Sequence, residues 1–197
     1  MKEIIIASAN EGKISEIKNI FSDIRFRVIS LSELNDVPEI IESGDSFEAN
    51  AEIKARIIFE KFRIPVIGDD SGLVVEQLNG RPGVFSSRYA GENATDELNN
   101  LKLVSELLSF PEPHKAKFVC TAFFYDGQKE IITKGEVKGR IIKTPRGTNG
   151  FGYDPLFIPD GFGKTLAELP ADVKNKISHR AKAFEEMKTM LKRLRRI

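Results

Sequence analysis

Asp69 and Asp70 stand side by side after the apolar run Val66-Ile67-Gly68. Adjacent carboxylates at the end of a buried strand can hold Mg²⁺, whose ligands are oxygens, or take a proton from water. Open α/β sheets collect ligands at the carboxyl ends of their strands. Neighbouring strand side chains point to opposite faces, so one of the pair is expected to face a given site. Asp-Asp-Ser-Gly is equally good turn chemistry, which leaves a plain turn open. A second group is Ser8, Ala9, Asn10, Glu11, Gly12 and Lys13, read as a turn between a strand and a helix. A helix N-terminus offers free N–H groups and a partial positive charge, which suits phosphate. Ser8 and Asn10 add neutral donors and Lys13 a point charge. The group is not a P-loop, because the first glycine and the Lys-Ser/Thr pair are missing. The same residues also make an ordinary helix cap with a solvated lysine.

Gly150-Phe151-Gly152-Tyr153-Asp154-Pro155 forms a third group. Its glycines let the backbone approach a ligand, and Phe151 or Tyr153 offers a stacking face. A turn with aromatic core residues is the plainer alternative. Lys174, with Asn175, Lys176, Ile177, Ser178, His179 and Arg180, leads into the last helix and could read a polar ring and its phosphates. The plainer alternative is a polar cap with Ser178 as N-cap. Glu42 before Ser43-Gly44 is a weaker candidate. Cys120 reads as a buried core thiol. The basic tail Lys192-Arg193-Leu194-Arg195-Arg196 reads as the solvated end of a helix, favoured by its dipole.

These residues need a scaffold. Residues 4–7 are a short β-branched run, hence a buried strand, followed by a helix over about 13–21 with Ile14, Ile17, Ile20 and Phe21 on one face. Residues 25–31 are a weaker strand. The clearest helix spans 45–62, with Asp45 and Glu48 as a capping box and Phe47, Ala51, Ala55, Ile58 and Phe62 inward. A strand at 66–68 ends in Asp69-Asp70-Ser71-Gly72, with a continuation at 73–78 before a turn at 79–83. Thr95 or Asp96 can cap a helix to 108 with Leu98, Leu101, Val104 and Leu108 inward. Residues 117–125 and 130–138 flank Asp126-Gly127, a hairpin signal, and a further short strand is expected at 141–142. The last helix runs over about 179–194, with Ala183, Phe184, Met187, Met190, Leu191 and Leu194 as its apolar face. Strands and helices mix without strict alternation, which predicts an α/β fold with helices flanking a mixed β-sheet.

The composition narrows the function. Lys plus Arg is 30 against 29 for Asp plus Glu, a net charge of +1, which argues against a general nucleic-acid binder. A hydrophobic content of 41% is too high for disorder. The single cysteine excludes an internal disulfide, and two histidines exclude a multi-histidine metal site. No run approaches the roughly 20 apolar residues of a membrane span, and no signal peptide is visible, so a cytoplasmic protein is expected.

Taken in order, the motifs resemble the inosine triphosphate and xanthosine triphosphate pyrophosphatase family over nearly the whole chain. Residues 8–13 match its T/S-x-N-x-x-K opening. Phe47, Asn50, Ala51, Lys54 and Ala55 match its F-x-E-N-A-x-x-K-A helix, and 69–73 its D-D-S-G-L segment. Pro82-Gly83-Val84, Ser86, Arg88-Tyr89-Ala90-Gly91, Phe151-Gly152-Tyr153-Asp154-Pro155 and Ser178-His179-Arg180 complete the set. Ala49 departs from it, standing where the family usually has glutamate, so that helix is assigned no metal ligand there.

The resemblance implies one domain over 1–197 with two lobes around a central cleft, usually a homodimer. It implies hydrolysis of deaminated purine triphosphates (ITP, dITP, XTP) to monophosphate and pyrophosphate with Mg²⁺. Asp70 becomes the candidate base, with Glu42 and Asp70, and less firmly Asp69, as metal ligands. Lys13 and Lys54 add positive charge. The substrate would be held by residues 8–13, Lys54, Ser71, Phe151, Gly152, Tyr153, Asp154, Lys174, His179 and Arg180. His179 and Arg180 would donate to a 6-oxo group, which accepts where the 6-amino group of adenine donates. The alternatives are a related pyrophosphatase for other modified or pyrimidine nucleotides, and a nucleotide sensor without turnover.

Overall fold

The computed structural model describes residues 2–24 and 26–194. The expected strand start at Arg25 and the tail residues Arg195 and Arg196 lie outside the described residues. The strands are β1 (Lys2–Ile6), β2 (Phe26–Ser30), β3 (Val66–Val75), β4 (His114–Tyr125), β5 (Glu130–Ile141) and β6 (Phe157–Pro159). The helices are α1 (Glu11–Ile20), α2 (Phe47–Phe62), α3 (Asp96–Leu107), α4 (Ala171–Ile177) and α5 (His179–Leu194). The sheet order is β2-β1-β3-β4-β5-β6, with β1 parallel to β2 and β3, and β5 antiparallel to β6. The sheet is therefore mixed, as expected.

The chain divides into two compact units. The first comprises residues up to Asp70, Cys120–Gly135 and the segment from Arg180 onward. Its strands alternate between two helical layers. Ile4, Ile6, Ile67, Cys120 and Ala122 share a core with Ile14 and Ile17 of α1 and Phe184 and Met187 of α5. Ile5, Val66 and Phe123 pack instead with Ala51, Ala55 and Ile58 of α2. Thus odd positions of β3 face α1 and α5, and even positions face α2. Gly68 makes the second packing close, since a Cβ there would lie 1.9 Å from the Ala51 carbonyl oxygen.

The second unit comprises Ser71–Val119 and Glu136–His179. Leu73, Val75, Leu103, Leu107, Phe118, Tyr153, Phe157 and Leu166 form its core. The hairpin turn at Asp126 is present in the first unit, with Gly127 at φ 95° and the Asp126 carboxylate accepting from the Gln128 and Lys129 amides.

Four local expectations change. The cap of α2 is Ser46, whose Oγ accepts from the Ala49 amide at 3.2 Å. Asp45 therefore makes no capping box, and Glu48 pairs with Lys134. Asp-Asp-Ser-Gly is no turn: residues 66–75 are one strand, so the aspartates sit mid-strand rather than at its end. The inward face of α3 differs from expectation at all its expected positions except Val104, which packs against the core. Leu98, Leu101 and Leu108 are exposed, while Leu103 and Leu107 are buried with Asn99 and Asn100. The asparagines turn inward because each has a backbone partner there, Asn99 at Ser87 and Ala90 and Asn100 at Gly152. Finally, α4 (Ala171–Ile177) is a helix that the sequence pattern does not place, since residues 174–177 read only as part of a segment leading into the last helix. The exposed polar and buried apolar faces of α5 follow expectation, with Met190 and Leu194 half-buried.

Candidate active site

In the first unit the strand pleat separates the two aspartates. Asp70 faces α2, where Asn50 and Lys54 lie one helical turn apart on the same side. The Asn50 amide donates to Asp70 Oδ2 at 3.2 Å, and Lys54 Nζ lies 3.3 Å from Asp70 Oδ1 and 3.0 Å from Glu42 Oε1. Asn50 also accepts from the Gly44 amide at 2.8 Å, tying the segment that carries Glu42 to α2. Burial pushes the Asp70 carboxyl above its ordinary pKa, and Lys54 and Lys13 offset this only in part. Burial lowers the Lys54 ammonium, but Asp70 and Glu42 outweigh it and hold its pKa up.

Asp69 faces α1 and α5. Its Oδ2 accepts from Lys13 Nζ at 2.5 Å, its Oδ1 from the Cys120 thiol at 3.0 Å, and Arg180 Nε lies 3.7 Å from Oδ1. Burial alone would raise this carboxyl, yet Lys13 and Arg180 hold it well below the usual range. Burial and the neighbouring Asp69 charge push the Cys120 thiol up, so it remains a donor. Arg180 is 1% exposed and donates through Nη1 to Glu16 at 2.6 Å. Asp69, expected as a less firm metal ligand, is thus engaged by cations on the face away from Glu42.

The phosphate-binding candidate is a capped helix start. Asn10 Oδ1 accepts from the Lys13 amide, and Ser8 Oγ accepts from the Asn10 amide. Ala9, Asn10 and Glu11 are exposed, and Ser8, Gly12 and Lys13 half-buried.

The second unit places Ser71, Phe151, Gly152, Tyr153, Asp154, Lys174 and His179. Asp154 accepts from Lys174 Nζ at 2.5 Å and from the Phe151 amide at 3.0 Å. Lys174 Nζ lies 4.6 Å from the centroid of the half-buried Phe151 ring, a cation–π contact. Gly150 is at φ 79°, and a Cβ there would lie 2.1 Å from Asp154 Oδ2. The loop is held further by Gly152, whose amide donates to Asp96 and whose carbonyl accepts from Asn100. His179 is buried and stacks on Phe118 at 4.9 Å. Ser71 is half-buried in β3. Tyr153, expected as an alternative stacking face, is buried in the core with its hydroxyl donating to the Ser86 carbonyl.

Reading the sequence by residue missed three members. Asn50 entered only through a motif, Glu16 not at all, and Cys120 only as core. Spacing held a signal for two of them: Asn50 precedes Lys54 by four residues and Glu16 follows Lys13 by three. Glu48 and Glu52 point away from the site, to Lys134 and Arg56.

One strand of the mixed sheet thus carries a carboxylate on each face, and each is partnered by a lysine. Residues 4–190 match the model of the Ham1 family, and the chain belongs to that family. It is 50% identical over 194 residues to a dITP/XTP pyrophosphatase of a Thermoanaerobacter species, covering 98% of each chain. It is 47% identical over 193 residues to the dITP/XTP pyrophosphatase of Geobacter sulfurreducens, covering 97% of each. The HAM1 protein structure from Coxiella burnetii superposes with a TM-score of 0.90 at 40% identity, covering 98% of this chain and 100% of that one. Among the described residues no helix is long and apolar enough to cross a membrane.

Proposed function

We propose that the chain hydrolyses dITP, XTP and ITP to the monophosphate and pyrophosphate. The observation that carries this is Lys54 held between Asp70 and Glu42, with the Lys13 of a phosphate-suited helix start also acting on the Asp70 charge. Phosphoryl transfer asks a protein for positioning and charge neutralisation more than covalent help. Lys13, Lys54 and the free amides of α1 bind phosphate oxygens. Asp70 takes the proton of the attacking water. One P–O bond forms to that water, the α–β anhydride P–O bond breaks, and pyrophosphate leaves.

Glu42 and Asp70 fit Mg²⁺: they are hard oxygen donors gathered at one ammonium, and Asp70 is short of compensating positive charge. Among the described residues no group of three or more His, Cys, Asp or Glu side chains makes a ready cage. Mg²⁺ is usually held by one or two carboxylates and the substrate's phosphates. When bound, it would neutralise those phosphates.

Phe151 stacks on the base, braced by Lys174 and Asp154. His179 supplies a donor for the 6-oxo group, whereas Arg180, expected to share that role, is committed to Glu16 and Asp69 and is 1% exposed. A second copy covers Leu98, Leu101 and Leu108, which are 46%, 67% and 64% exposed along one side of α3 and its end. A cytoplasmic setting suits a chain with a single, buried cysteine.

The test is purified protein with Mg²⁺ against dITP, XTP, ITP, GTP and ATP, with pyrophosphate and phosphate measured separately. Pyrophosphate from the first three, a preference of ~10⁴-fold over ATP, and loss of activity with chelator are expected. Similar efficiency on ATP and ITP, or orthophosphate as product, would overturn the reading.

A further inference from the structure

Asp69 is left without a part in that chemistry, yet it is 1% exposed and both of its oxygens are engaged. Around it four side chains alternate in charge. Lys13 on α1 meets Asp69 on β3, Asp69 lies against Arg180 on α5, and Arg180 returns to Glu16 on α1. Lys13 and Glu16 are three residues apart, hence neighbours on one side of their helix. The Cys120 thiol, on the neighbouring strand β4, donates to the Asp69 oxygen that Lys13 does not use.

We propose that Asp69 is a positioning residue for Lys13, and that the Cys120 thiol orients the Asp69 carboxylate for that task. The proposal rests on the reading of Lys13 as a phosphate ligand. A lysine on four methylenes has large rotamer freedom, which a phosphate ligand would otherwise have to suppress on binding. Asp69 suppresses it beforehand. The carboxylate oxygen holds one of the three ammonium protons and leaves donors for the substrate. Arg180 shares the compensation of the buried Asp69 charge with Lys13, and Glu16 in turn balances Arg180. Asp69 so placed acts on binding, not on the attacking water.

The experiment is a double-mutant cycle of Lys13→Met and Asp69→Asn, read as KM and kcat for ITP and, without turnover, as the Kd of inorganic pyrophosphate by calorimetry. Lys13→Met is expected to raise KM and Kd about 10- to 100-fold, the range for a hydrogen bond to a charged group. Asp69→Asn should raise both by a similar factor with kcat within about threefold, and the double variant should be no worse than Lys13→Met. Cys120→Ala should raise KM severalfold and Cys120→Ser, which keeps a donor, should restore it. Wild-type KM and Kd in Asp69→Asn, factors that multiply in the double variant, or a collapse of kcat alone would overturn the proposal. If Asp69→Asn does not fold by circular dichroism, the cysteine pair decides, and equal behaviour of its two variants overturns the proposal. A wild-type protein that binds pyrophosphate with the expected coupling but turns over no ITP would sink the functional reading and leave the positioning role standing.

Discussion

The two faces of β3 carry the same side chain one residue apart and give it opposite surroundings. Asp69 meets Lys13, Arg180 and a thiol donor, and its charge is fully compensated. Asp70 contacts one lysine, which it shares with Glu42, and an amide; Lys13 adds a weaker attraction, and the Glu42 and Asp69 charges act against both. Burial is severe for both, at 1% and 5% exposure, so the count of cations decides the outcome. The compensated carboxylate is a structural anion. The undercompensated one retains affinity for a proton or a cation, which is what a base or a metal ligand requires. On the proposed function, the strand pleat and what the flanking helices present would decide which aspartate does which job.

Breaking the Asp70 side should have the largest effect. Asp70→Asn keeps the shape and removes the charge, so turnover of ITP should fall at least ~10²-fold, the low end for a lost general base. Its melting temperature should stay close to wild type, since the variant removes the less compensated charge. Near-normal turnover in folded Asp70→Asn would assign the chemistry to another residue.

A smaller effect separates base binding from chemistry. Phe151→Ala should weaken ITP binding by ~1–3 kcal/mol, the range for one base–aromatic stack. ATP binding should weaken by a similar amount, because every purine presents a π-face, so the ITP preference should survive. A variant that instead erased the preference would make Phe151 the reader of the base.

The comparison also explains what could be read in advance. Apolar periodicity located β1, α1, α2, β3 and α5, because each carries enough inward aliphatic or aromatic residues to show its period, although α2, β3 and α5 also bury Asn50, Lys54, Asp69, Asp70, His179 and Arg180. It misplaced most of the inward face of α3, where Asn99 and Asn100 outcompete Leu98 and Leu101 for the inside by satisfying backbone groups. It ended β3 too early, because two aspartates look like a turn until their partners are known. Those partners, from α1, α2, α5 and β4, are distant in sequence, and no local pattern announces them. The pleat argument did anticipate that the aspartates part company, since alternation is a property of any strand. Cys120 was read correctly as buried, yet its hydrogen bond to Asp69 is a tertiary fact.

The smallest effect tests whether a depressed carboxyl marks a working one. Glu33 is held at a pKa of about 2, first by the Lys18 ammonium and then by the Ser30 amide, against an ordinary 4.5. In direction it resembles Asp69. In setting it does not, because the Lys18 and Glu33 side chains are 45% and 39% exposed, and water screens their pairing. Its folded pKa lies below its unfolded one, so its stabilisation is present above about pH 4.5 and is lost as pH falls toward 2. After discounting for exposure, Glu33→Gln should cost less than ~1 kcal/mol at pH 7. For a chain of this size that is a drop of at most about 4 °C in Tm, with the two melting curves converging as pH is lowered. ITP turnover should be unchanged. A larger drop, or curves that diverge with acid, would mean that exposed pairs here carry as much energy as buried ones, and the distinction drawn between the two aspartates would lose its physical basis.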